Sequence, residues 1–245
     1  MSPTAIQPPP AGGSPPSGLP PDDIPLYARS PTIHPRTVKG RFRTWKWLAT
    51  GVLLPWWHLA PFLRWDRGPN APDQAILVDL GARRAFLFGL EIWPQEGAYL
   101  TALLVAASIG LFLVSALWGR IWCGFACWQT VYTDLFVAVE RLVVGDRARR
   151  MAMERAPWSL DKLARRGAVH LIWLLLSAAC GVAFTLYFGD APTMLPALLR
   201  GQESNAVYVS VAVVGGFCYL LAGHAREQVC LYMCPYSRFQ AAMFD

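Results

Sequence analysis

Trp122-Cys123-Gly124-Phe125-Ala126-Cys127-Trp128 and its echo Val229-Cys230-Leu231-Tyr232-Met233-Cys234-Pro235 decide how this chain is read. Each stretch sets two cysteines three residues apart. Each also follows an apolar run long enough to cross a bilayer, with Arg120 or Arg226 at the exit. Four of the six cysteines therefore stand just beyond hydrocarbon, at the ends of two different helices. If those ends lie on one side of a membrane, four sulfurs can converge.

The surrounding composition supports membrane residence. Hydrophobic residues make up 54% of the chain and charged residues only 16%, with eleven tryptophans and long uncharged windows between charge clusters. The net charge of +6 is explained by basic loops beside apolar spans, and no nucleic-acid-binding motif is present. The pattern predicts an all-α membrane protein with four transmembrane helices, at about 45–63, 97–119, 167–189 and 206–223. Pro55 and Pro61 should kink the first, and Gly215-Gly216 should let the fourth pack closely.

Residues 1–40 form a low-complexity tail (Pro8-Pro9-Pro10, Gly12-Gly13), expected to be disordered and cytoplasmic, ahead of a membrane domain over 41–245. Between the first two spans, Gln74 to Glu96 is too broken to cross and reads as a small outer-side β-hairpin or interfacial element. Val131, Leu135, Phe136, Val139, Leu142 and Val143 recur at helical spacing, which predicts an amphipathic helix along the inner membrane surface. Asp146 to Arg166 reads as a charged loop in water. Most Lys and Arg lie in the N-terminal, central and C-terminal segments, against Arg64, Arg67, Arg83, Arg84 and Arg200 opposite. Both termini and both cysteine pairs should then face the cytoplasm. Residues 41–130 and 165–238 share one order of span, outer loop, span, basic exit and Cys-x-x-x-Cys, a parallel repeat with a pseudo-twofold axis along the membrane normal.

Stable disulfides are rare in a reducing compartment, and no Cys-x-x-Cys redox motif occurs. On a helix, positions i and i+4 share a face, so each pair could grip one centre. Thiolates suit iron–sulfur clusters, zinc or Cu(I), and the apolar flanks (Trp122, Phe125, Trp128, Tyr232, Tyr236) would keep the site dry. The alternative is that all four are unreactive interfacial cysteines. His224, with His170, shares the depth of the pairs and could assist a metal, as could the Met233 thioether. His58 has no partner for a haem. Cys180 and Cys218 read as small packing residues at membrane depth, and Asp134 and Glu140 as the wet face of the surface helix.

Several strings carry a resemblance. Arg64-Trp65-Asp66-Arg67-Gly68-Pro69-Asn70-Ala71-Pro72-Asp73-Gln74, Glu91-Ile92-Trp93-Pro94-Gln95-Glu96, Trp122 to Cys127, Thr133-Asp134-Leu135-Phe136 and Cys230 to Phe244 are similar to the cytochrome c oxidase accessory proteins of the CcoG/FixG/RdxA family. The resemblance runs from about residue 40 to the end. It implies a multi-pass protein of the bacterial inner membrane that moves electrons through a cysteine-bound 4Fe-4S cluster during assembly of cbb3-type oxidase. It also implies reduction of Cu(II) to Cu(I), with the lipid bilayer, the oxidase or its copper-assembly factors, and a second copy in a homodimer as partners. Cys123, Cys127, Cys230 and Cys234 match the family's membrane-edge motifs.

Whether the chain is an enzyme, a cupric reductase, stays open beside two rivals: a non-enzymatic copper chaperone or scaffold, and the membrane anchor of a quinol-linked polyferredoxin. Two departures stand out. The family's proline after the first pair is Trp128 here, whereas Pro235 follows the second. The family also continues into a soluble ferredoxin-like domain. This chain has no Cys-x2-Cys-x2-Cys run, so a fragment, or a variant without those clusters, is expected.

Overall fold

The computed structural model describes residues 40–68 and 71–243. The proposed tail over 1–40 lies outside them but for Gly40. The described chain is mostly helical: α1 (Arg41–Leu59), α2 (Gly97–Trp118), α3 (Trp128–Val143), α4 (Arg147–Arg155), α5 (Leu160–Thr185), α6 (Ala191–Leu199), α7 (Asn205–Cys218), a short α8 (Arg226–Gln228) and α9 (Pro235–Met243). Three wider π-turns interrupt the series, at Trp122–Ala126, Tyr219–Ala225 and Val229–Met233.

Among the described residues, three helical runs are long and apolar enough to cross a membrane: Pro94–Trp118, Leu160–Phe188 and Asn205–Met233. These cover the second, third and fourth expected spans. The expected first span is different. It falls in α1, whose opening turns carry Arg41, Arg43 and Lys46 and whose remainder holds Trp47, Pro55, Trp56, Trp57 and His58, so it does not join the three. His58 Nδ1 donates to Leu54 O at 2.8 Å, which satisfies the ring within its own helix.

The segment expected to be a hairpin is a three-stranded antiparallel meander, β1 (Ile76–Asp79), β2 (Arg84–Leu87) and β3 (Leu90–Ile92). Its register pairs Leu77 with Phe86 and Phe86 with Glu91. The sequence just before it acts as a clasp. Arg67 donates to the carbonyls of Pro72, Gln74, Ala75 and Phe88 at 2.5–2.9 Å. Gln74 is fully buried, donating to Ile76 O and Leu186 O at 2.9 Å and accepting from Ala191 N at 3.0 Å. A buried amide is tolerated when its polar atoms are paired, as they are here. The clasp fixes the sheet to the α5–α6 corner.

The core lies between α3 and α5. Tyr132, Phe136 and Val139 on α3 pack with Val169, Trp173 and Cys180 on α5 and with Ala222. Phe136 stacks on Trp173 at 5.2 Å, and Trp173 Nε1 donates to Phe136 O. The amphipathic helix expected to lie on lipid thus turns its apolar face onto the protein's own helices. The charged stretch 146–166, expected to be a loop, is helical in α4 and the start of α5. Helix α6 lies between the third and fourth expected spans.

Helices α5 and α7 approach closely because both are notched by glycine. A Cβ on Gly181 would stand 2.4 Å from Val211 O, and one on Gly215 would stand 2.9 Å from Ser177 O. Gly216, read with Gly215 as a packing pair, faces open space.

Candidate metal centre

The four membrane-edge cysteines are built on two copies of one local geometry. The π-turn Trp122–Ala126 ends at Cys127, whose backbone is extended (φ −63°, ψ 126°) and whose N–H closes on Trp122 O. The π-turn Val229–Met233 ends at Cys234, also extended (φ −84°, ψ 110°), with its N–H on Val229 O. A new helix starts at the next residue in each case. The pairs are therefore not on the face of a continuous α-helix, as i,i+4 spacing suggested. π-Turns of this kind recur at functional sites.

A hydroxyl three residues beyond each second cysteine locks the turn. Thr130 Oγ1 donates to Cys123 O at 2.7 Å, and Ser237 Oγ donates to Cys230 O and, at 3.0 Å, to Cys234 O. This Cys-x3-Cys-x2-Thr/Ser pattern is legible in the sequence as a signal of the turn. Trp128 and Pro235 both take the first position of the helix that follows. That position needs no backbone N–H, which is why proline suits it and why tryptophan can replace proline without altering the backbone. Trp128 adds ring contacts to Trp57 at 4.6 Å and Tyr132 at 4.7 Å.

Three links bring the pairs together. Tyr236 on α9 bonds Ser115 Oγ and, at 3.2 Å, Leu111 O, while Phe239 packs on Phe112; both attach α9 to α2. Gln129 Nε2 donates from α3 to Leu221 O at 2.8 Å. Glu140 on α3 is bonded by Arg150 at 2.8 Å and by Arg226, which opens the segment leading to the second pair. Arg226 has a left-handed φ of 29°, and its guanidinium lies 5.3 Å over the Trp173 ring. Glu140 is thus the hub of an ion triad, and Asp134 pairs with Arg43 and Lys46 of α1, so neither is simply a wet-face residue.

All four thiols are free. Burial pushes the Cys123 thiol above its usual range, and Cys127, Cys234 and Cys230, in that order, push it further, while Arg120 opposes them. Cys123 is therefore within electrostatic reach of the other three. Among the described residues, no three His, Cys, Asp or Glu side chains are placed to hold a single metal ion. A tetrahedral zinc would draw its four sulfurs to within about 3.8 Å of one another, given a Zn–S distance near 2.3 Å. A cubane cluster takes one cysteine on each of four irons, so its sulfurs stand farther apart. Four cysteine thiols are the number of donors that either group takes.

The remaining candidates lie elsewhere in the site region. His224 packs among His170 at 6.1 Å, Trp173 and Tyr219, and His170 Nδ1 bonds the Tyr219 hydroxyl at 2.8 Å. Met233 is 64% exposed between Cys230 and Cys234. Sequence reasoning gave no part to Gln240. It is 2% exposed, its Oε1 lies 3.7 Å from the Cys123 sulfur, and its Nε2 has no hydrogen-bond partner.

Three apolar helices of membrane-spanning length, with four free thiols near the ends of two of them, fit one class: a membrane-type iron–sulfur protein. Comparison with known proteins agrees. Residues 100–144 match the family described as "4Fe-4S binding domain", and the cofactor this supports is an iron–sulfur cluster. The chain is 48% identical over 221 residues, 90% of its length, to the nitrogen fixation protein FixG of Rhizobium meliloti. It is 49% identical over 220 residues to protein RdxB and 45% identical over 221 residues to protein RdxA, both of Cereibacter sphaeroides. The resemblance to the CcoG/FixG/RdxA family holds across nine-tenths of this chain. The chain spans 42%, 46% and 47% of those three relatives, less than half of each. No solved structure matches.

Proposed function

We propose that this chain is the electron-transfer membrane domain of an accessory protein for cbb3-type cytochrome c oxidase, with Cys123, Cys127, Cys230 and Cys234 together holding one 4Fe-4S cluster. The observation that carries the reading is the pair of like π-turns whose cysteines come within electrostatic reach of each other. The cluster, when bound, supplies a one-electron centre. Around it, Thr130 and Ser237 hold the turns. Ligation needs thiolates, and the burial that disfavours a free thiolate at Cys123 is offset by the positive iron core.

Copper is substrate in this reading: each Cu(II) reduced to Cu(I) takes up one electron. The topology proposed with it has four spans, α1 included, with both termini and both cysteine pairs on the cytoplasmic face of a bacterial inner membrane. The basic segments around Arg43, Arg150 and Arg166 support that orientation. The same order of elements in 41–130 and 165–238 supports a parallel repeat.

The test is anaerobic purification in detergent followed by iron, acid-labile sulfide and copper analysis. Four irons and four sulfides per chain, lost together in Cys123→Ser and in Cys230→Ser, is the expected result. Copper without iron or sulfide would overturn it in favour of a Cu(I) chaperone, and clusters that survive both substitutions would remove the proposed ligand set.

A further inference from the structure

Among the described residues, Gln240 stands out at the cysteine site as a buried side chain whose hydrogen bonding is half complete. It projects from α9, six residues beyond Cys234, yet its contact is with Cys123 of the other pair. Its carbonyl accepts from the Cys123 thiol at 3.7 Å, while its amino group, buried with the rest of the residue, has no partner. Native proteins rarely leave a buried donor unpaired, so such a group asks for an acceptor.

Ligation supplies that acceptor. A cysteine bound to iron is a thiolate, which has no proton to donate and can only accept. The carbonyl of Gln240 would then face a negative sulfur, a repulsive contact. The two ends of a glutamine amide have nearly the same shape, so half a turn about the last side-chain bond exchanges them. That turn sets the unpartnered N–H group on the Cys123 sulfur and removes both defects at once. The backbone need not move, because Tyr236 and Phe239 already fix α9 against α2.

Resting on the four-cysteine reading above, we propose that Gln240 is a positioning residue that donates an N–H···S hydrogen bond to Cys123 in the cluster-bound protein and so raises the cluster's reduction potential. A donor on a ligand sulfur withdraws charge and favours the reduced, more negative state. The residue contacts a ligand, not a substrate, and takes no part in ligation.

The test uses the full chain, reconstituted anaerobically in detergent with iron and sulfide, as wild type, Gln240→Leu and Gln240→Glu. Iron and sulfide are counted first, then midpoints are measured by redox titration monitored by electron paramagnetic resonance. The expected result is full loading in all three with both variants more negative. A tenfold fall in the reduced-to-oxidised ratio at fixed potential corresponds to a shift of about 59 mV for one electron. Wild type in deuterated buffer should also show a deuteron coupled to the cluster that Gln240→Leu lacks.

Fully loaded variants with the wild-type midpoint and deuteron coupling would overturn the proposal and leave the four-cysteine reading intact. A wild type that binds no iron or sulfide would overturn both, and the metal count separates the two failures. Should Gln240→Leu fail to load, the isosteric Gln240→Glu decides, with an unchanged midpoint counting against the bond.

Discussion

Removal of the Glu140 carboxylate should loosen the whole cysteine site from a distance. Glu140 receives Arg150 and Arg226, and the three side chains are only 16%, 5% and 18% exposed, so solvent screens these pairs weakly. Glu140→Ala leaves two guanidinium groups near buried surface without their shared acceptor. Breaking such a buried pair costs about 3–5 kcal/mol. For a chain of this size each kcal/mol lowers the melting temperature by about 2–4 °C, so a fall of about 6–20 °C is expected.

The effect should reach the metal because Arg226, held at a left-handed φ, opens the segment that carries Cys230 and Cys234, while Glu140 shares α3 with the anchor of Cys127. Differential scanning fluorimetry in detergent, run beside iron analysis, reads both quantities. Glu140→Gln keeps the shape but not the charge and should fall between wild type and Glu140→Ala. A melting point within 2 °C of wild type and an unchanged iron count in Glu140→Ala would refute the reasoning.

Other expectations are simpler to test. Gly181→Ala and Gly215→Ala force a methyl onto backbone atoms of the facing helix and should each cost about 1–3 kcal/mol, read by thermal unfolding, whereas Gly216→Ala should be near neutral. Trp128→Pro should keep the π-turn and its iron but lose two ring contacts, about 0.5–1.5 kcal/mol each, so iron content holds while the melting point drops. In the metal-free protein, burial and the neighbouring thiols hold the Cys123 thiol above the usual range. Less thiolate is then present at neutral pH, and alkylation at Cys123 should lag a free cysteine near pH 8 and catch up as pH rises; equal rates there would count against that environment.

Much of this arrangement was legible in the residues, and the parts that were not share a cause. Uncharged windows marked three apolar helices because hydropathy depends on composition alone. The cysteine spacing marked the two turns on which the proposed ligand set rests. The backbone around it was misread, because Cys-x-x-x-Cys fits an α-helical face as readily as a π-turn that ends in an extended residue. Glu140 and Asp134 looked like solvent-facing charges because their partners, Arg226 and Arg43, lie far away in sequence. Gln240 was invisible for the same reason: its meaning comes from Cys123, 117 residues away in the sequence. Within the string from Arg64 to Gln74, one of those that carry the family likeness, Arg67 and Gln74 pin the sheet.

The attachment of α2 sets an order of events during biosynthesis. Its first half, from Tyr99 to Ile109, presents bare apolar side chains, and its ties to α9 run through Leu111, Phe112 and Ser115. Chains emerge from the ribosome N-terminus first, so α2 is made long before α9 exists. On the membrane topology and ligand set proposed above, α2 would wait in lipid until translation has passed Gln240. Loading of iron and sulfide would then follow insertion, and a loading factor would meet the protein already in the membrane.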